Sequence, residues 1–174
     1  MPASTNISAL VTTVASDFIS ASPATDIFVL IGAAAAVLLL GFWGRSKLIS
    51  VTIASYAAIA MLATLPIFDW VFGSLGLPFS VWSVIVTVLA LVLILHSMIY
   101  FSLGDVLEED PGFIASSIVL AIAVIGLLFS YSFTVVPADV LTDISPVLAI
   151  ALTGAIAKLL WFLAPIVVIG ATKD

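Results

Sequence analysis

Apolar residues run almost unbroken through five stretches of this chain, 27–43, 48–72, 80–103, 113–136 and 147–171, and polar residues gather between them. A helix needs about 20 consecutive apolar residues to cross the hydrocarbon core of a bilayer. The first stretch falls slightly short of that, the next three meet it, and the fifth is interrupted by Lys158. The connections carry helix-ending residues: Gly44-Arg45-Ser46-Lys47, Gly73 to Pro78, Gly104 to Gly112 with Pro111, and Pro137 to Pro146. Links this short make sequential helices antiparallel neighbours. The pattern predicts an all-α protein, a polytopic transmembrane helical bundle of about five spans occupying residues 27–174.

Ahead of the first span, Ile7, Leu10, Val11, Val14 and Phe18 recur at helical spacing, with Thr12, Thr13, Ser16 and Asp17 on the other face. Residues 1–26 therefore read as an amphipathic helix and linker, with Ser22-Pro23 ending the helix. Such a helix lies in the membrane interface or covers a neighbouring subunit. Nothing from Met1 to Asp26 is basic, so the segment lacks the charged start of a cleaved signal peptide, and the first apolar run is expected to be a retained span.

Orientation follows from few charges. Arg45 and Lys47 lie between the first two spans and Lys173 follows the fifth, so a five-span chain places them on one side. The positive-inside rule makes that side cytoplasmic, with the N-terminus outside and the C-terminus inside a cell membrane. Trp70, Trp82, Tyr131 and Phe133 then fall near outer ends, and Trp43, Tyr100, Phe101 and Phe113 near inner ends, as aromatic belts require.

Composition narrows function mainly by exclusion. Of 174 residues, 64% are hydrophobic and 8% charged, with a mean hydropathy of +1.41. A soluble domain of this size has too little interior to hide that much apolar surface. The formal charge of −6 resides in short loops and no basic patch exists, which argues against a nucleic-acid partner. The absence of cysteine removes disulfides, thiolate metal sites and cysteine nucleophiles. No Gly-rich phosphate loop, HExxH or nucleophile elbow is present, and the single histidine has no serine and acid arranged beside it to suggest a triad. The acidic run from Gly104 to Gly112 lacks the ligand spacing of a calcium loop. The expectation is a non-enzyme with no cofactor and no metal, whose partners are the lipid bilayer and other membrane proteins or further copies of itself.

The residues with chemical potential are few. Lys158 stands near mid-membrane if 147–171 is one straight span, where it costs about 2.5–3.5 kcal/mol and needs water or a carboxylate. Alternatively the segment breaks near Gly154, the span proper starts near Ala157, and Lys158 snorkels to headgroups or towards Asp69 or Asp143. His96 lies two turns from the end of the third span and shares a face with Tyr100, four residues on. It can relay protons, or hydrogen-bond to Ser or Tyr of a neighbouring helix. Asp69, after Pro66, caps, faces water or pairs with Lys158. Packing in lipid must come from close approach, and small residues supply stripes for it: Gly32 and Ala36; Ser50, Ala54 and Ala58; Ala149, Thr153 and Ala157. The third and fourth spans, richer in Val, Ile and Leu, are expected to face lipid or a partner.

From Asp26 to about Phe72 the chain resembles the opening of the colicin V production protein family. The likeness rests on an acidic residue before the first span, the link Gly44-Arg45-Ser46-Lys47-Leu48-Ile49, and a small-residue second span with Tyr56 that ends around Pro66. The link carries two charges, fewer than is usual there, and the acidic loop and fifth segment exceed a four-span plan. The resemblance implies a small bacterial inner-membrane protein associated with export or envelope processes, and it brings no catalytic residues. Together these readings lead to a non-enzymatic scaffold or assembly subunit of an envelope complex. The other expectation is a small oligomeric channel or transporter with Lys158 and His96 lining the path.

Overall fold

The computed structural model describes residues 23–76, 78–103, 114–136 and 144–171. The regular elements among them are helices: α1 (Pro23–Gly41), α2 (Arg45–Thr64), α3 (Ile67–Leu75), α4 (Val81–Leu103), α5 (Ile114–Val135), α6 (Pro146–Thr153) and α7 (Ala155–Ala171). The amphipathic helix expected near the N-terminus and the acidic run 104–112 lie outside the described residues.

By length and composition α2, α4 and α5 can each cross a membrane. A fourth span exists if α6 and α7, bent by 55° relative to each other, count as one. In α1 the apolar part, Asp26–Gly41, is shorter. The helical membrane bundle is thus present, with three or four spans on these criteria where the hydrophobic pattern suggested about five.

Two expected spans are divided, each for a local reason. The stretch 48–72 ends as a helix at Thr64, because Pro66 cannot donate to the ladder and forces its predecessor out of the helical region. Leu65 is accordingly extended (φ −113°, ψ 144°), and a separate helix, α3, follows. The stretch 147–171 breaks at Gly154 (φ −59°, ψ 145°). The first link is also shorter than the charges suggest: α2 begins at Arg45, so Arg45 and Lys47 stand in its first turn. Gly44 makes that reversal at φ 84°, a conformation that side chains disfavour. Elsewhere serines start the helices. Ser80 and Ser83 exchange backbone-to-hydroxyl hydrogen bonds ahead of α4, and the Ser145 hydroxyl accepts from Leu148 N at 3.2 Å, with Pro146 as the first residue of α6.

Helix α5 is the hub. It packs against α1, α2, α4, α6 and α7, and 61% of its membrane-length window is buried, against 22% for α4. Of the two Val/Ile/Leu-rich spans expected to face lipid or a partner, α4 is largely exposed whereas α5 is largely buried within the bundle. Small residues within its apolar run explain why: Ser117, Ala121, Ala123, Ser130 and Ser132 are all buried, letting neighbours approach on several sides. At Gly126 the Trp161 ring of α7 lies so close that even a methyl group would collide with it.

The packing stripes divide similarly. Ser50, Ala54 and Ala58 of α2 are fully buried in the core with Val84 and Val88 of α4. Gly32 is not a close-contact position: it is exposed, and a Cβ there would meet nothing within 4 Å. Ala36 is half-buried beside it, and Thr153 is half-buried with its hydroxyl donated to the Ala149 carbonyl. The contrast between the glycines yields a direct test. Gly126→Val should destabilise the detergent-solubilised protein by about 1–3 kcal/mol through overpacking, whereas Gly32→Ala should leave its unfolding midpoint unchanged or raise it. Equal effects in a denaturation series would show that the α5–α7 contact is not tight.

Candidate functional site

The break at Gly154 creates the first region with chemical character. Ending α6 there takes the carbonyls of Ala151 and Leu152 out of the helical ladder, although Gly154 N still reaches Ile150 O at 2.9 Å. In an apolar surrounding each unpaired carbonyl costs several kcal/mol. Both are satisfied from neighbouring helices: Trp161 Nε1 donates to Ala151 O at 3.0 Å, and the Ser130 hydroxyl of α5 donates to Leu152 O at 2.6 Å. Trp161 therefore serves twice, as the ring against Gly126 and as the donor to the break.

Further along α7, Pro165 lies inside the helix and lacks the N–H that would bond to the Trp161 carbonyl. The adjacent Phe162 carbonyl accepts from the Tyr56 hydroxyl of α2, and the two rings meet edge-to-face at 5.2 Å. Tyr56 thus ties α2 to α7 beside Pro165.

Lys158 sits in the first turn of α7, its N–H bonded to the Gly154 carbonyl. It is exposed and lines a cleft of about 130 Å³ with Ile59 of α2, Leu127, Ser130, Tyr131 and Thr134 of α5, and Phe162. Those α5 neighbours fall in its last turns, so Lys158 is near one end of the bundle and not at its middle. That end also holds Asp26, Thr64 and Ser145. Asp69, on α3, is exposed and no ion pair to Lys158 exists among the described residues. Asp143 lies outside the described residues.

The opposite end carries the second region. His96 Nδ1 of α4 and Ser50 Oγ of α2 are 3.0 Å apart, so the hydrogen bond to a neighbouring helix, one of the two readings of His96, is present. Trp43 stacks on the imidazole at 5.8 Å, and Tyr100 packs on it tilted, also at 5.8 Å. Lys47 Nζ stands 5.9 Å from the Tyr100 ring centre, within reach of a cation–π attraction. The sequence-level candidates are therefore separated: His96 and Tyr100 belong together, while Lys158 stands at the other end and Asp69 joins neither.

One buried acid escaped the candidate list. Asp26 is 4% exposed; its Oδ1 accepts from Ser145 N at 3.1 Å, and its Oδ2 has no hydrogen-bond partner among the described residues. The pairing joins the start of α1 to the start of α6, where a helix N-terminus favours negative charge. The signal was slight, an acidic residue one position before an apolar run. Gly126 was more visible, being the one glycine in α5.

No family model matches the chain, and no curated protein or solved structure matches it.

The two polar ties predict different behaviour. A double-mutant cycle of Ser50→Ala and His96→Leu, read from unfolding equilibria in detergent, should give a coupling of about 0.6 kcal/mol, the average for such pairs in membranes. Ser130→Ala leaves the Leu152 carbonyl of the break unpaired and should cost more, about 1–3 kcal/mol. A Ser130→Ala loss no larger than the Ser50–His96 coupling would mean that Leu152 O finds another donor.

Proposed function

We propose that this protein is a non-enzymatic integral membrane subunit that scaffolds or assembles a larger membrane complex. The observation that carries the proposal is the fate of its polar side chains. Thr52, Ser55, Thr64, Thr87, Ser97, Thr134 and Thr153 each return their hydroxyl to a carbonyl one turn back in the same helix. Ser130, Tyr56 and Trp161 are spent on joining helices, and His96 is engaged with Ser50. Between the two polar ends the bundle interior is Ala121, Val124 and Leu128, all buried. Meanwhile α7 packs through one stripe and leaves Ile156, Leu159, Leu160, Leu163, Ile166 and Val167 exposed, an apolar surface for lipid or neighbouring helices.

The likeness of residues 26–72 to colicin V production proteins supports a bacterial inner-membrane complex concerned with export or the envelope. Three of the four basic residues, Arg45, Lys47 and Lys173, support a cytoplasmic C-terminus.

The bent α6–α7 pair favours a second reading, a small oligomeric channel or transporter, because discontinuous helices line many transport sites. In that reading Lys158 and His96 line a path formed between copies of the chain. The two readings part on flux and company. The scaffold predicts co-purification with other membrane proteins from native membranes, and no solute flux when the pure chain is placed in liposomes. A chain that is always isolated and monomeric contradicts the scaffold. Flux that Lys158→Met abolishes, with assembly intact, would establish the transporter instead.

A further inference from the structure

We infer that the Lys158 cleft is a binding site for the phosphate of an anionic phospholipid, independently of which function above holds. Three features of the site converge on that ligand.

The first is uncompensated charge. Lys158 has no ion-pair partner among the described residues, and it occupies the first turn of α7, where unpaired N–H groups already make the helix end positive. A lysine is ordinarily disfavoured at that end, so the site gains from an external anion. The described carboxylates that share its end of the bundle do not supply one: Asp26 is buried against Ser145 and Asp69 is exposed on α3.

The second is depth and direction. Lys158 is level with Ser130, Tyr131 and Thr134, in the last turns of α5. Side chains of a helix lean towards its N-terminus, which for α7 is the nearer end of the bundle. The ammonium is therefore carried towards the headgroup layer, while its stem stays among apolar groups.

The third is shape. The cleft opens between α2, α5 and α7 rather than on a smooth helix face. Ile59, Leu127 and Phe162 supply apolar walls suited to the upper part of an acyl chain, and Tyr131 and Thr134 flank Lys158 with hydroxyl-bearing side chains. A soluble anion would use the charge alone, whereas a phospholipid uses both charge and walls. A lysine near an anionic membrane surface gives about 1 kcal/mol, or about a fivefold preference.

The test uses the full chain, purified in detergent and offered phosphatidylglycerol or phosphatidylcholine of matched acyl chains, with bound lipid counted by native mass spectrometry. Wild type should retain phosphatidylglycerol preferentially. Lys158→Met should reduce that preference about fivefold, Lys158→Arg should keep it, and Lys47→Met, at the opposite end, should not alter what Lys158→Met removes. A photo-crosslinking residue at Thr134 provides a readout that does not require the lysine variant to fold, and it should capture phosphatidylglycerol over phosphatidylcholine. No headgroup preference in wild type, or none at the Thr134 crosslinker, overturns the proposal. So does complete displacement of phosphatidylglycerol by millimolar inorganic phosphate, which would identify a soluble-anion site. If Asp143→Asn raises phosphatidylglycerol retention above wild type, the lysine is held in an intrachain ion pair and the assignment fails.

Discussion

A backbone carbonyl released inside an apolar bundle has no water to turn to, and the arrangement of this protein follows from meeting that demand at Gly154. The bend there frees the Ala151 and Leu152 carbonyls, and the donors that recover them come from two different helices. Ser130 must face α6, which fixes the rotation of α5. Trp161 must reach back over its own helix end, and its ring then needs an opening in α5, which Gly126 provides. Near Pro165 the Tyr56 hydroxyl donates to the Phe162 carbonyl, a further hydrogen bond that joins α2 to α7. Hydrophobic burial does not bring helices together in lipid, so these hydrogen bonds and the close contacts beside them decide which helices are neighbours.

That arrangement bears on function through what is left over. Hydroxyls folded back onto their own helices have their donor protons satisfied without water. The aromatic pile of Trp43, His96 and Tyr100 at one end and the Lys158 cleft at the other are separated by the buried apolar centre of α5. Polar groups concentrated at the two ends are what a protein anchored among headgroups requires. A single chain that conducted ions would need them through its middle.

Much of the helical plan was legible in the sequence, because lipid imposes a simple rule: every described apolar stretch is helical, and Gly44, Pro66 and Gly154 mark real ends. Less legible was whether a break divides a span or merely kinks it. The apolar stretch 48–72 runs through Pro66 without interruption, yet Leu65 adopts an extended conformation and the helix restarts as α3. Least legible was which face meets which. Composition suggested that α5 faces lipid or a partner, but Gly126 and Ser130 acquire their roles only opposite Trp161 and Leu152, contacts between distant parts of the chain that periodicity does not encode. Gly32 shows the converse, a small residue in a persuasive stripe with nothing packed against it. For His96, spacing placed Tyr100 on its face correctly, but only the fold brings Ser50 and Trp43 there.

The Asp26–Ser145 contact extends the same logic to the ends of the described chain. Ser145 N is part of the α6 start, so its bond to Asp26 Oδ1 ties the entry of α1 to the entry of α6. Ser145 in turn caps Leu148, α6 ends at the break, and the break is held by α5 and α7. A continuous series of contacts thus runs from the start of α1, through the eight-residue helix α6, to the carbonyls at Gly154. Lys158 stands at the end of that series, its N–H donated to the Gly154 carbonyl. Residues far apart in the sequence thus set the geometry at this end of the bundle together, although neither Asp26 nor Ser145 lines the Lys158 cleft.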